Sequence, residues 1–386
     1  MQGTWHWFPK YRMGLVAELD DAEARAPIII IRPLLMGLVV AMSMVLISLA
    51  WMWIRLRAAE ERARKLLTET RRLGQYELGR KLGEGGMGVV YEGRHALLHR
   101  PAAIKLMQAG SLTEDQVTRF DREAQATASL THPNTVSVYD FGRARDGTWY
   151  YVMELLQGAD LDRLVRRLGP LDEARVVHVL RQMCGSLGEA HLHGLVHRDV
   201  KPSNVYLSSR VGVQDTVKVL DFGLVRGFEG SSSKSHGIVG TPLYMAPEMF
   251  DGAHHASAAS DLYAVGAVAY WLLTGETLYD ESHGIAELLV DHRSRSPVPV
   301  SERLGRPVHA TLLRFIEACL DKRPEARPVT MAAACALLDD YPTPWRATEA
   351  SAWWQAHGAA LVVVDEIGRA DTVVRPSEDD DQATAA

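Results

Sequence analysis

The pattern of apolar and polar positions near the start of the chain predicts a membrane-spanning helix. Residues 33–54 form a run of 22 residues without a charge, which as a helix would be about 33 Å long and match a bilayer's hydrocarbon core. The run holds only two hydroxyl residues, Ser43 and Ser48, whereas a buried helix of a soluble protein usually keeps a polar stripe. It is also too long, and begins too late, for a cleaved signal peptide.

The basic residues that flank this run predict its orientation. Seven follow it within about 20 positions and three precede it, which favours a cytoplasmic location for everything after the run. Residues 1–32 are then a short extracytoplasmic segment, and its aromatic residues are expected at the membrane interface. Residues 55–75 mix helix formers with alternating charge, which predicts a helical juxtamembrane linker. The spacing of Gly37 and Ala41 would suit pairing of two spans in a homodimer.

Beyond residue 75 the pattern changes from β-rich runs to helical periodicity. Runs such as YELGRKL, VVYEGRH and AAIKLM are typical of strands, and one helical stretch interrupts them at about 114–129. After Gly158 the apolar spacing is helical. Residues 76–341 are therefore predicted to form a small, mostly antiparallel sheet with one helix, followed by a larger helical part.

Composition and charge narrow the function classes. With 47% hydrophobic and 23% charged residues the chain is near the globular average, and a formal charge of −6 argues against a nucleic-acid-binding surface.

Residues 342–386 contain the Pro-punctuated PTPW and the acidic EDDD, so we expect a flexible, loosely docked tail with a short amphipathic piece around Trp353 and Trp354. The three cysteines show no metal-ligand or redox spacing and are interpreted as buried, reduced thiols.

A glycine-rich segment, residues 83–90 (GEGGMGVV), lies between the first two β-rich runs. Residues without a Cβ let a hairpin fold closely over the phosphates of a nucleotide, although an ordinary hairpin turn would use the same glycines. In the next run Lys105 is a lone cation among apolar residues, suited to a point-charge contact with phosphate oxygens. Glu123, in the following helix, is positioned to pair with that lysine, and a surface carboxylate is the alternative interpretation.

Three later segments are more specific: HRDVKPSN at 197–204, DFG at 221–223 and GTPLYMAPE at 240–248. With the glycine-rich segment and AAIK, they make residues 76–341 resemble the eukaryotic-like (Hanks-type) serine/threonine protein kinases of bacteria. The resemblance implies an α+β, bilobal protein-kinase-like fold with ATP and Mg²⁺ as cofactors. It also implies transfer of the ATP γ-phosphoryl group to Ser/Thr hydroxyls of protein substrates in signal transduction. The predicted span and its flanking basic residues would place this activity at the cytoplasmic face of the inner membrane.

The resemblance assigns roles in phosphoryl transfer, in which a protein mainly positions reactants and neutralises charge. Asp199 is expected to accept the proton of the substrate hydroxyl, and Lys201 to offset charge on the γ-phosphate. Asn204 and Asp221 supply hard oxygen ligands suited to Mg²⁺.

The resemblance also implies a nucleotide site built from the glycine-rich hairpin and the strands beside it. The residues expected to bind the nucleotide are Leu82, Gly83, Glu84, Gly85, Gly86, Met87, Gly88, Val89, Val90, Ala103, Lys105, Glu123, Glu154 and Leu156. Tyr206 or Leu207 would pack below the adenine, and Met153 would guard the pocket behind it. Glu154 and Leu156 would act through their backbone groups.

Structural and regulatory expectations follow from the same likeness. Glu248 and Arg327 resemble an ion pair that anchors the activation segment, and Asp261 resembles a carboxylate that braces the catalytic loop. Because Arg198 precedes Asp199, we expect that phosphate pairing with this arginine orders the activation segment. The preferred autophosphorylation sites are Ser233 and Ser235, whereas Thr241 is interpreted as a substrate-aligning hydroxyl.

Other functions suit the motifs less well. A pseudokinase scaffold would typically lack the lysine, the base or the metal ligands, and the sequence has them all. A small-molecule kinase would not need GTPLYMAPE, which resembles a platform for peptide substrates. The short segment before the predicted span disfavours a receptor.

Overall fold

The computed structural model describes residues 2–19, 36, 38, 42–55, 57, 72–85, 88–107, 124–144, 147–210, 213–222, 242–252 and 256–362. The chain separates into two compact units, Met1–Arg72 and Leu73–Ala386.

The first unit contains an antiparallel hairpin that the sequence analysis did not predict. Strand β1 (Gln2–Phe8) pairs with β2 (Met13–Leu19), and Trp7 lies opposite Gly14. Residues 42–54 of the predicted span are helical, and the rest of the span lies largely outside the described residues. Within the parts of the chain that the structure describes, no helix has both the length and the apolar character needed to cross a membrane.

The second unit begins with a six-stranded sheet whose spatial order is β3-β4-β5-β6-β8-β7. Its strands are β3 (Arg72–Leu73), β4 (Tyr76–Gly85), β5 (Gly88–His95), β6 (Pro101–Met107), β7 (Val138–Arg143) and β8 (Trp149–Glu154). The pairs β4–β5, β5–β6, β6–β8 and β7–β8 are antiparallel. The central strand β6 buries side chains on both faces, which explains its apolar run. Of the predicted helix at 114–129, residues 124–128 are described and helical.

Eight α-helices lie in the described residues that follow β8. They are α1 (Leu161–Leu168), α2 (Glu173–Leu192), α3 (Ala258–Thr274), α4 (Ile285–Ser294), α5 (Val300–Leu304), α6 (Ala310–Cys319), α7 (Met331–Ala336) and α8 (Ala347–Val362). Helix α3 is buried from Ser260 to Leu273 and forms the centre of the larger core. A capping box of Ser257 and Ser260 starts it, and Gly275, at φ 72°, ends it.

A second, three-stranded sheet lies within the helical part. Strand β10 (Val205–Arg210) pairs antiparallel with β9 (Gly158–Asp160) on one side and with β11 (Val213–Val219) on the other. The antiparallel sheet followed by a helical lobe confirms the predicted bilobal α+β architecture.

The end of the described chain differs from the expected flexible tail. Helix α8 packs on the helical lobe, where Leu361 is 1% exposed and belongs to the larger core. The amphipathic piece around Trp353 and Trp354 is part of this helix. The prediction of a flexible tail was wrong for this segment. It rested on the Pro-punctuated link and the acidic end, whereas Trp345, Trp353 and Trp354 contact buried residues of the helical lobe. Residues 363–386 lie outside the described residues.

Candidate active site

The glycine-rich hairpin is formed by the end of β4 and the start of β5. Gly83, Glu84 and Gly85 lie opposite Val90, Val89 and Gly88, respectively. A Cβ on Gly88, whose φ is 142°, would lie 2.0 Å from the backbone oxygen of Leu106, so only glycine fits there. Gly86 and Met87, also predicted to bind nucleotide, lie outside the described residues.

Lys105 lies in β6 opposite Val90 of β5 and Tyr151 of β8, which directs it from the sheet toward the helical lobe. Its side chain is 8% exposed, and its Nζ lies 2.7 Å from Oδ2 of Asp221. The predicted phosphate-binding cation and the predicted metal ligand are therefore in contact. Glu123, the expected partner of Lys105, lies outside the described residues.

The electrostatics around Asp221 keep its carboxylate ionised. Burial by itself would raise the pKa of Asp221, but the nearby Lys105 ammonium, with smaller effects from His197 and Lys201, holds this pKa below its usual value. An ionised carboxylate is the form that binds a divalent cation.

The catalytic loop brings three predicted residues together. Nζ of Lys201 lies 2.8 Å from Oδ2 of Asp199. The short 3₁₀ helix Pro202–Asn204 places the Asn204 amide so that Nδ2 donates to Asp199 at its backbone oxygen (2.8 Å) and at Oδ2 (3.0 Å). This use of Nδ2 leaves Oδ1 of Asn204 as the amide atom suited to a metal ion.

The donor set fits an ion shared between protein and nucleotide. One carboxylate and one amide oxygen, from Asp221 and Asn204, are hard ligands of the kind that Mg²⁺ prefers. No group of three or more acidic, His or Cys side chains suited to a metal occurs in the described ranges. An ion at this site would therefore take its other ligands from phosphate oxygens and water.

A buried carboxylate holds the backbone of the catalytic loop. Asp261, 1% exposed, accepts hydrogen bonds from the backbone N–H groups of His197 (2.8 Å) and Arg198 (2.9 Å) and contacts Nε2 of His191 (2.8 Å). Arg198 has a left-handed backbone, at φ 68°, which a non-glycine residue adopts only when its surroundings hold it. The bracing role expected of Asp261 is therefore visible as three direct contacts.

His197 connects the loop with the segment that carries the metal ligand. Its Nε2 lies 2.7 Å from the backbone oxygen of Leu220, and its ring packs on Phe222 with 4.8 Å between centroids. Asp221, between these two residues, has φ 55°. The carboxylate is thus held between two anchored neighbours.

Several of the apolar residues expected around adenine lie together in one cluster. Ala103 and Met153 are buried in one cluster, against which Leu82, Val90 and Leu220 pack. Leu207 is 0% exposed in the core of the helical lobe and has no surface to offer a ligand. Tyr206 is half-buried and donates its hydroxyl to the Gly158 oxygen at 2.7 Å, so of the two alternatives the structure favours Tyr206 as the residue below the ring.

Glu154 has a second role that the sequence analysis missed. Its carboxylate is 6% exposed and accepts from the Ser137 backbone N–H (2.9 Å), from Lys218 Nζ (2.6 Å) and from Arg210 Nη2 (3.3 Å). Lys218 and Arg210 lie in β11 and β10, so this side chain ties the end of the sheet to the helical lobe. The motifs provide no signal for these partners, because the contact spans 64 and 56 positions, respectively.

The predicted pair between Glu248 and Arg327 is present. Arg327, whose side chain is 0% exposed, donates from Nη1 to Oε1 (2.7 Å) and from Nη2 to Oε2 (2.9 Å) of Glu248. The same guanidinium donates to the backbone oxygens of Ala259 and Asp321 at 2.8 Å. Ser233, Ser235 and Thr241 lie outside the described residues.

A lysine and a carboxylate meeting across a cleft, beside a braced Asp-Lys-Asn loop, define the active site of a protein kinase. A family model described as "Protein kinase domain" matches residues 76–338, and the chain belongs to this family.

Its relatives are bacterial serine/threonine kinases. The chain is 41% identical over 265 residues to the serine/threonine-protein kinase Pkn1 of Myxococcus xanthus, with 68% of this chain and 37% of the relative covered. It is 35% identical over 270 residues to pkn3 of the same organism (68% and 49% covered) and 36% identical over 264 residues to PknB of Mycobacterium leprae (67% and 41% covered). The chain therefore spans half or less of the length of these relatives.

A solved structure shares the fold. The crystal structure of the PknI kinase domain of Mycobacterium tuberculosis superimposes with a TM-score of 0.54 at 26% identity, covering 70% of this chain and 96% of that one.

Proposed function

We propose that this protein is an ATP-dependent kinase that phosphorylates serine and threonine hydroxyls of other proteins. The observation that carries the proposal is the 2.7 Å contact of Lys105 with Asp221, next to the Asp199, Lys201 and Asn204 cluster. These side chains come from both lobes, and they are the ones needed to transfer a phosphoryl group from ATP.

The chain's own residues position the reactants. Lys105 binds the α- and β-phosphates as a point charge, and Lys201, held at Asp199, offsets charge on the γ-phosphate. Asp199 accepts a hydrogen bond from the substrate hydroxyl and takes its proton as the hydroxyl oxygen bonds to the γ-phosphorus and the bond from that phosphorus to the leaving ADP breaks. Asn204 and Asp221 are the residues that would hold Mg²⁺, which would supply neutralisation of the phosphate charge when bound.

The decisive experiment compares the purified full-length protein with its Asp199→Asn variant. Phosphate transfer from labelled ATP to a generic protein substrate should fall by about 10²- to 10⁴-fold, the usual contribution of a general base. Asp162→Asn is a matched control, because Asp162 forms an exposed i,i+4 pair with Arg166 in α1 and has no predicted role in catalysis. Equal transfer by wild type and Asp199→Asn would refute the assignment.

We further propose that residues 33–54 anchor the kinase in the inner membrane with the catalytic unit in the cytoplasm. Support comes from the uncharged 22-residue run and the basic residues that follow it. A chain lacking residues 33–54 should leave the carbonate-washed membrane fraction, in which the full chain should remain. Recovery of both chains in the soluble fraction would overturn the anchor.

We also propose that the activation segment is autophosphorylated at Ser233 and Ser235. Support comes from Arg198, which directly precedes Asp199 and is suited to pair with a phosphate. Mass spectrometry should find phosphate on this segment in the wild type and not in Asp199→Asn, and an unmodified segment in active enzyme would exclude the proposal.

A further inference from the structure

Asp215, in β11, lies at the centre of a buried cluster of four donors. Arg175 donates from Nε to Oδ2 and from Nη2 to Oδ1, both at 2.8 Å. Two indole N–H groups complete the set: Trp345 donates to Oδ2 at 2.7 Å and Trp354 to Oδ1 at 2.5 Å. The ion pair is almost fully removed from water, with side-chain exposures of 1% for Arg175 and 0% for Asp215. Half of the donors therefore come from the C-terminal segment.

The same segment covers the guanidinium of Arg175. Its Cζ lies 3.7 Å from the centroid of the Trp353 ring and 5.3 Å from that of Trp345. Nη1 of Arg175 has no hydrogen-bond partner among the atoms of the described residues, so the aromatic faces provide its main stabilising contact.

The far end of α8 is attached independently. Arg167 of α1 donates from Nη1 to the backbone oxygen of Ala360 at 3.0 Å, and Leu361 is buried in the larger core. We call residues 345–361 the C-terminal latch. It contacts α1, α2 and β11, which are separate in sequence.

Strand β11 connects the latch with the nucleotide site. The backbone oxygen of Asp215 accepts from Nε2 of Gln182 (3.0 Å), and Oε1 of Gln182 accepts from the Val217 N–H (3.0 Å). Three residues after Asp215, Lys218 donates to the Glu154 carboxylate at 2.6 Å. Glu154 ends β8 next to Met153, where the proposed adenine contacts begin. A displacement of β11 would thus be transmitted to this edge of the pocket.

We propose that the C-terminal latch is a built-in regulatory element that sets nucleotide affinity by holding β11, and through Lys218 and Glu154 the adenine-binding edge, in place. The inference rests on the proposed function of the site as an ATP site. Release of the latch would expose the ion pair to water on its indole side and loosen β11. The KM for ATP should then rise, while kcat changes little, because the latch contacts on which the proposal rests lie on α1, α2 and β11 and not in the catalytic loop.

The test uses the full-length chain with Trp345→Phe and Trp354→Phe together, which keep an aromatic ring at each position and remove the two N–H donors together with part of each indole. The KM for ATP and the Kd for ADP, by calorimetry, should both rise about fivefold or more, as for coupled sites, with kcat within about twofold of wild type. Trp271→Phe is the control, since this indole is 2% exposed and its N–H has no hydrogen-bond partner among the described residues.

A Glu154→Gln background tests the route. If the latch acts through this carboxylate, the double substitution should no longer change the Kd for ADP there. A wild-type Kd in the double variant, even with a lowered Tm, would overturn the proposal, as would an equal increase in both backgrounds. Because calorimetry measures binding without turnover, failure of the latch and failure of the kinase activity are distinguishable.

Discussion

Two buried arginines in the helical lobe each form the same kind of ion pair, but their surroundings differ. Arg327 and Arg175 each bind a carboxylate through two hydrogen bonds of 2.7 to 2.9 Å, and their side chains are 0% and 1% exposed. Each also lies near an aromatic ring, Tyr263 for Arg327 (5.0 Å) and Trp353 for Arg175 (3.7 Å).

The difference lies in what completes each pair. Arg327 has further backbone acceptors at Ala259 and Asp321, which belong to the lobe itself. The carboxylate that binds Arg175 instead takes two donors from a terminal segment. The same interaction is therefore a permanent part of the lobe in one place and depends on the docking of α8 in the other.

The largest effect is expected from Arg327→Ala. The substitution leaves Glu248 without its buried partner and removes the donors to two backbone oxygens. The free energy of unfolding should fall by about 5 kcal/mol, the upper part of the range for breaking a buried pair, as measured by urea denaturation. Unchanged stability would show that the pair contributes nothing.

Arg175→Ala should cost less, about 3 kcal/mol, at the lower end of the same range. The latch can undock and let water reach Asp215, whereas Arg327→Ala also takes the donors from the backbone oxygens of Ala259 and Asp321, which belong to the lobe itself. Hydrogen exchange at α8 amides should increase in this variant and stay unchanged in Arg327→Ala. Equal losses of stability with a protected α8 would contradict the distinction between the two pairs.

His292 adds a pH dependence beside Arg327. Its ring is 0% exposed, and burial, together with Lys322, lowers its pKa to about 3, while Nδ1 contacts the Tyr263 hydroxyl at 2.9 Å. The unfolded chain binds a proton near pH 6.5, so stability from this group is present above pH 6.5 and is lost as pH falls toward 3. Between pH 7 and pH 5 the loss should be about 2 kcal/mol.

The control for this prediction is His292→Gln, which cannot titrate in that window. Unfolding free energies of wild type and variant should differ in their pH dependence by the amount above. Parallel curves between pH 7 and pH 5 would show that His292 is accessible to protons in the folded protein.

The smallest effect is expected from Trp353→Leu, which removes the ring over Arg175 but no donor to Asp215. Loss of a buried cation–π contact should lower the free energy of unfolding by about 1 to 2 kcal/mol in urea titrations. A larger loss at Trp353 than from Arg175→Ala would mean that the ring, and not the ion pair, holds the latch.

Much of the site was predictable because short motifs place its residues. Lys201 and Asn204 lie within five positions of Asp199, so local backbone geometry brings them together. Lys105 and Asp221 are 116 positions apart, and only the resemblance to a known family assigned both to one site. The resemblance left Tyr206 and Leu207 undecided, because the choice depends on which side chain of β10 the core buries.

From the sequence, periodicity predicted a β-rich part followed by a helical part, and the resemblance of its motifs to the Hanks-type kinases assigned the residues expected to bind and transfer a phosphoryl group. Only the tertiary structure decided that Glu154 binds Lys218 and that Asp215 meets Arg175, Trp345 and Trp354, at separations of 40, 130 and 139 positions. The chain has 48 acidic residues, and no spacing rule selects these two. The selection comes from burial, because a carboxylate removed from water is stable only where the folded chain surrounds it with donors.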